Sequence, residues 1–131
     1  MLTRLFGQKN RMNYFFDTYA IIEILKGNKN YETYAELTFI TTTLNLSEFY
    51  FYLLSTLNKE KADETLGRFN FSFLEVDKET AKEAAKFRKE NYKIKLSYVD
   101  CIGYILSKKI GFKFLTGDEF FENSENVEFV R

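Results

Sequence analysis

The chain contains no histidine in its 131 residues. That absence removes the Ser-His-Asp and Cys-His nucleophile systems, imidazole acid-base catalysis and nearly all zinc sites, so any chemistry must rest on carboxylates. Cys101 is the single cysteine and can form no disulfide within the chain. Lysine plus arginine and aspartate plus glutamate both number 19, and a formal net charge of zero gives no global basic field for nucleic acid. No apolar run approaches the roughly 20 residues of a membrane span, and no signal peptide is visible. A cytoplasmic protein without a membrane partner is expected. Tryptophan is missing too, so the 15 Phe and nine Tyr must supply most of the bulky core and any adhesive surface.

What is present reads as one globular domain, 45% hydrophobic and 29% charged, long enough to bury a real core. Residues 1–11 are basic and aperiodic and are expected to be a leader or flexible arm, with the domain at 12–131. The organising stretch is Asn13-Tyr14-Phe15-Phe16-Asp17. A strand apolar on both faces belongs inside a covered parallel sheet, and such sheets bind ligands beyond the carboxyl ends of their strands. Asp17 stands at that end.

Further strands are expected at 38–42, 71–76, 112–116 and 126–130, with helices at 18–26, 30–37, 46–58, 59–68, 78–92 and 98–109. Strands alternating with helices define an α/β fold. Asn45 is expected to cap the third helix, Asp77 the fifth and Ser97 the last. On the 78–92 helix, Ala81, Ala84, Ala85 and Arg88 form the expected inward side. On the 46–58 helix, Leu46, Phe49, Leu53 and Leu57 form a core stripe, while Tyr50, Phe51, Tyr52 and Leu54 make it apolar nearly all round; one face is expected to meet another chain.

Four acids take comparable places: Asp17 and Asp118 just past strand ends, Glu48 and Asp100 in first helical turns. Each has a structural explanation. Asn45-x-x-Glu48 and Ser97-x-x-Asp100 read as capping boxes, Asp17 could cap its own helix, and Asp118 could be a turn residue. A doubly wound sheet nevertheless sets its first and fourth strands side by side. If the helices bearing Glu48 and Asp100 start at the same edge, four carboxylates share one crevice. Such repulsion is tolerable only with protonation or a cation, and oxygen ligands favour a hard ion such as Mg²⁺ or Mn²⁺.

Three blocks carry a resemblance: Phe16-Asp17-Thr18-x-x-Ile21-Ile22-Glu23, Ser97-Tyr98-Val99-Asp100-Cys101-Ile102-Gly103 and Phe114-Leu115-Thr116-Gly117-Asp118-x-x-Phe121. With their spacing, residues 12–131 resemble the PIN domain, particularly the small VapC-type ribonucleases of prokaryotic toxin-antitoxin pairs. The chain departs from the family near Val99 and Cys101, where a small residue is usual; its helix carries Gly103 instead. The resemblance implies a three-layer α/β/α domain with a parallel sheet in order 3-2-1-4-5. It also implies an acidic metal site of Asp17, Glu48, Asp100 and Asp118, supported by the hydroxyls of Thr18 and Thr116. Mg²⁺ or Mn²⁺ would be the cofactor, RNA the substrate, and a cognate antitoxin and a second copy of the chain the partners. RNA would be steered by Lys26, Lys29, Lys108, Lys109 or Lys113.

Two other readings compete. A phospho-receiver signalling domain has similar length and topology and an acid after its third strand, here Asp77, but it needs an adjacent acidic pair where this chain has Phe16-Asp17. A catalytically silent PIN-like assembly module would retain every acid.

Overall fold

The computed structural model describes residues 13–131; the expected leader at 1–11 lies outside the described residues. In chain order the elements are β1 (Tyr14–Phe16), α1 (Thr18–Leu25), a 3-10 helix (Lys29–Tyr34), β2 (Phe39–Thr41), α2 (Thr43–Thr56), α3 (Lys59–Leu66) and β3 (Phe71–Phe73). There follow α4 (Lys78–Glu90), α5 (Tyr98–Ile110), β4 (Lys113–Thr116), a 3-10 turn (Glu119–Phe121) and β5 (Val127–Phe129). The five strands form one parallel sheet in the order β3-β2-β1-β4-β5, as expected from the sequence.

Successive side chains of a strand point to opposite faces, and the central strands use this to build two cores. Phe15 and Phe114 face α4 and α5, in a cluster with Ala84, Leu96, Cys101, Tyr104 and Phe121. Phe16 and Leu115 face α1, α2 and α3, with Ile21, Tyr31, Phe39, Phe49 and Leu53. Much of the aromatic content packs inside: Phe16 and Phe39 stack with centroids 4.6 Å apart, and Phe114 meets Phe121 edge-on at 5.0 Å. Truncating a ring of this kind to Ala costs about 3–5 kcal/mol.

Gly103 explains why α5 can lie so close to the sheet. A Cβ there would sit 2.9 Å from Cε1 of Phe15 and 3.1 Å from Cε1 of Phe114. The helix therefore rests on the two central strands through its backbone, and its first turn, bearing Asp100, is fixed against the sheet's carboxyl edge. The left-handed Gly111 (φ 76°) ends the helix.

Several sequence expectations shift. Helix α2 begins at Thr43, not Leu46, because Thr42, in extended backbone (φ −119°, ψ 164°), caps it through a hydrogen bond from Asn45 N. Asn45 is therefore inside the helix, Glu48 lies in the second turn, and the Asn45-x-x-Glu48 capping box does not form. The segment after Asn28 is a 3-10 helix rather than an α-helix. On α4 the inward residues are Thr80 and Ala84, with Phe87 packed beside them, while Ala81 and Ala85 are exposed. On α2, Phe49 and Leu53 are buried, whereas Leu57 is exposed.

The contact at Gly103 yields a direct check. A branched side chain there must displace two buried rings, and overpacking of this sort costs about 1–3 kcal/mol. Gly103→Val should lower the urea midpoint accordingly. An unchanged midpoint would show that α5 is free to back away from the sheet.

Candidate active site

The acids are brought together by strand ends and helix starts. In the β1–β4 pairing Phe16 lies opposite Leu115, which sets Asp17 against Thr116; Asp17 N extends the ladder by donating to Leu115 O at 3.1 Å. Asp17 is 2% exposed. Its Oδ1 accepts from Thr18 N at 2.9 Å, and its Oδ2 accepts from the Thr116 hydroxyl at 2.6 Å. The same Thr116 oxygen accepts from Asp118 N at 3.1 Å, so a single hydroxyl links two of the acids.

Glu48 reaches the crevice from α2. The Thr18 hydroxyl donates to Glu48 Oε1 at 2.6 Å and accepts from Asn45 Nδ2 at 3.0 Å. Asn45 Oδ1 in turn accepts from the Thr42 hydroxyl at 2.7 Å. Thr42, Asn45, Thr18 and Glu48 thus form a directional chain of hydrogen bonds that ends on a carboxylate. Asn45 is wholly buried. Sequence reading missed this role by treating Asn45 as a cap; Thr42 claims the cap instead and frees Asn45 to turn inward.

Asp100 arrives on the first turn of α5, where the expected capping box is present: Ser97 N donates to Asp100 Oδ2 at 2.9 Å and Asp100 N donates to Ser97 Oγ at 3.0 Å. Asp118 caps the short 3-10 turn, accepting from Phe120 N at 3.0 Å. Each capping bond engages one carboxylate oxygen, Oδ2 of Asp100 and Oδ1 of Asp118, so the structural explanation does not exclude a chemical one.

The electrostatics show that these groups form one set. Burial, then the charge of Asp100, pushes the Asp17 carboxyl up to about 8, against relief from the Thr116 and Thr18 hydrogen bonds, with Glu48 adding a smaller push. Glu48 is raised by burial and then by Asp100, and Asp100 by burial and then by Asp118. No three carboxylates among the described residues stand close enough to enclose a cation as they are. The donor set is nonetheless all oxygen and carries excess negative charge, which fits a hard divalent ion held partly through water.

The five lysines expected to steer RNA do not face this crevice. Lys26 and Lys29 follow the far end of α1, Lys108 and Lys109 lie in the last turn of α5, and Lys113 opens β4. All sit toward the amino edge, because helices that start at the carboxyl edge run back across the sheet. Asp77, the acid a receiver domain would use, is there as well: its carboxylate caps α4 and lies 4.0 Å from Lys109 Nζ.

Fold and site together define a doubly wound α/β protein whose acids converge on the carboxyl edge of its two central strands. The PIN domain profile matches residues 14–125, and the chain belongs to that family. No curated protein matches it in sequence. Among solved structures it is similar to VapBC2 from Rickettsia felis, bound to a DNA fragment from its promoter, at 17% identity and a TM-score of 0.71, covering 92% of this chain and 100% of that one. It is also similar to VapC20 from Mycobacterium tuberculosis, a Sarcin-Ricin loop cleaving toxin, at 16% identity and 0.70, covering 91% and 100%. FitAcB from Neisseria gonorrhoeae aligns at 16% identity and 0.62, covering 90% and 96%.

The raised Asp17 has a consequence with a definite sign. Its folded value of about 8 lies above the ordinary 3.8, so the folded state holds the proton more tightly than the unfolded chain. The stability it contributes is complete below about pH 4 and is lost as pH rises toward 8. In chelator, melting temperature should fall over that window for wild type and fall less for Asp17→Asn. Parallel curves would mean that Asp17 is ionised in the folded protein throughout.

Proposed function

We propose that the protein is a Mg²⁺- or Mn²⁺-dependent endoribonuclease, the toxin of a toxin-antitoxin pair. The observation that carries this reading is the meeting of Asp17, Glu48, Asp100 and Asp118 at one sheet edge, with Asp17 buried and fixed by two hydrogen bonds. Family membership supports nuclease chemistry, and the fold neighbours include a toxin described as cleaving the Sarcin-Ricin loop.

A bound divalent ion supplies an acidified water and neutralises charge on the phosphoryl group in flight. The side chains prepare for that. Asp17, Asp100 and Asp118 would hold the ion directly or through water, Thr116 aligns Asp17 and the Asp118 backbone, and Ser97 fixes Asp100. Glu48, turned toward the site by Thr18 and Asn45, is placed to ligate or to orient the attacking water, with its raised proton affinity suited to accepting a proton.

Purified protein should cleave RNA internally with Mg²⁺ or Mn²⁺ and not in EDTA. Asp17→Asn and Asp100→Asn should each abolish cleavage, and the double variant should lose no more than either, because the acids act as a unit. The same proteins report on ion binding without activity. A ligand at a hundredfold excess over Kd stabilises by about 2.7 kcal/mol, so Mn²⁺ should raise the wild-type melting temperature. Asn at position 100 keeps an oxygen for Ser97 N while removing a repelling charge. Asp100→Asn should therefore match or exceed wild type in EDTA and gain little from Mn²⁺. Full cleavage by Asp100→Asn would overturn the assignment.

Association is the second part of the proposal. On α2, Phe51 is 72% and Leu54 43% exposed, while Tyr50 is half-buried and donates to Asp63; Tyr52 is also half-buried. An exposed apolar helix face of this kind marks a protein contact, and a homodimer or an antitoxin groove accounts for it; a fold neighbour described as a toxin-antitoxin complex from Klebsiella pneumoniae supports a partner. Light scattering should give a dimer that Phe51→Glu with Leu54→Glu converts to monomer. A monomeric wild type that also fails to bind its antitoxin through this face would remove the idea.

A further inference from the structure

The connection from α4 to α5 lies at the carboxyl edge, beside the acids. Between Arg88 and Tyr98 it carries Arg88, Lys89, Lys93 and Lys95 against a single carboxylate, Glu90, in a chain whose charges balance overall. None of these four cations enters an ion pair among the described residues, whereas Lys26, Lys108 and Lys109 at the opposite edge are all paired. Two aromatic rings stand among them, with Tyr92 70% and Tyr98 58% exposed.

The arrangement is built rather than incidental. Arg88 Nε donates to Leu96 O at 3.0 Å, and the guanidinium lies 4.2 Å from the centre of the Tyr98 ring. A flat cation is thereby fixed on one side of a ring that is still more than half open to solvent. Lys89 Nζ lies 5.9 Å from the Tyr92 ring centre. Arg88, Tyr92, Ile94, Lys95, Leu96 and Ser97 line a groove. One wall of that groove, Ser97, is the capping partner of Asp100, so the groove lies beside the acid at the start of α5.

Resting on the nuclease reading of the acidic crevice, we propose that this groove, with Tyr98 and Lys93 on the chain beside it, is a binding subsite for single-stranded nucleic acid, its bases stacking on Tyr98 and Tyr92 and its phosphates meeting Arg88, Lys93 and Lys95. Open aromatic faces interleaved with cations suit an unpaired strand, whose bases are free to stack; a duplex hides those faces. An acidic peptide would satisfy the cations but leave both rings without a partner. The site also answers an electrostatic need: four acids repel a polyanion, and unpaired cations on the connection that leads into Asp100 offset that repulsion.

The test separates binding from turnover. Fluorescence anisotropy with a labelled oligoadenylate of about ten nucleotides, in EDTA, reads strand binding alone; cleavage of a longer RNA in Mn²⁺ is read separately. Tyr98→Ala should weaken oligonucleotide binding about tenfold, since a base stacked on a ring contributes on that scale, and Tyr98→Phe should bind as wild type. Lys95→Ala should reduce the salt slope by about 0.7, the value for one phosphate of a single strand. Lys113→Ala, at the amino edge, should change nothing, and unaltered melting curves exclude misfolding. If Tyr98→Ala and Lys95→Ala bind as wild type while cleavage proceeds, the subsite is wrong and the nuclease reading stands. If both weaken binding but no metal supports cleavage, the subsite stands and the hydrolase reading falls. Wild type that binds an acidic peptide or duplex RNA in preference to the oligonucleotide would overturn the proposal.

Discussion

Asp17 is a carboxylate set where water barely reaches, at the end of the most central strand, and the neighbouring structure is arranged to tolerate it. Burial and the charge of Asp100 oppose its ionisation, while the Thr116 hydroxyl and Thr18 N favour it. A site poised between the two states responds strongly to a cation, because one added positive charge reverses the balance. Thr116 cannot be exchanged freely for an apolar residue of the same shape, since it donates to Asp17 and accepts from Asp118 N in the same stroke. Gly117 is constrained for a related reason: a Cβ there would lie 2.4 Å from Val130 O and 2.3 Å from the Tyr19 ring, so only glycine lets the chain bend from Thr116 to Asp118 against the last strand.

Short strands make this segregation of charge compact. The longest strand has four residues, which at about 3.3 Å per residue puts the two edges of the sheet only some 13 Å apart. Asp17, Glu48, Asp100 and Asp118 gather at one edge, whereas at the other Lys26, Lys108 and Lys109 are matched by Glu23, Asp77, Glu83 and Glu125. A balanced net charge therefore conceals unevenly matched local charges, and whole-chain charge arithmetic says little about where a polyanion is drawn. The unpaired cations beside the acids are local, and they lie on the one connection that passes next to Asp100.

The fold was legible because strong local signals agreed with the global one. Phe15 and Phe16 read as a strand buried on both faces, Gly27, Gly67 and Gly111 end helices where expected, and Ser97-x-x-Asp100 forms the capping box its spacing predicts. Asp17 and Asp118 were placed by topology alone. Less legible was anything decided by competition between neighbours. Thr41, Thr42 and Thr43 are all β-branched, so nothing local says which one ends the strand and caps the helix. That choice moved α2 by three residues and gave Asn45 its buried role. The lysines were misjudged for another reason: sequence records which elements carry charge, but only the run-back of each helix across the sheet says at which edge the charge arrives.

Cys101 follows Asp100 directly and faces the opposite way, into the core against the sheet, with no exposed surface. Burial first, and the adjoining Asp100 charge second, push its thiol up to about 11, so in the closed structure it is both hidden and protonated, and inert on both counts. A thiol reagent reaches it only when the packing around it opens, and Asp100 is the residue next to it. The chain's lone thiol is thus a built-in reporter beside its acids: the rate at which a thiol reagent labels the native protein counts how often the structure around Asp100 opens.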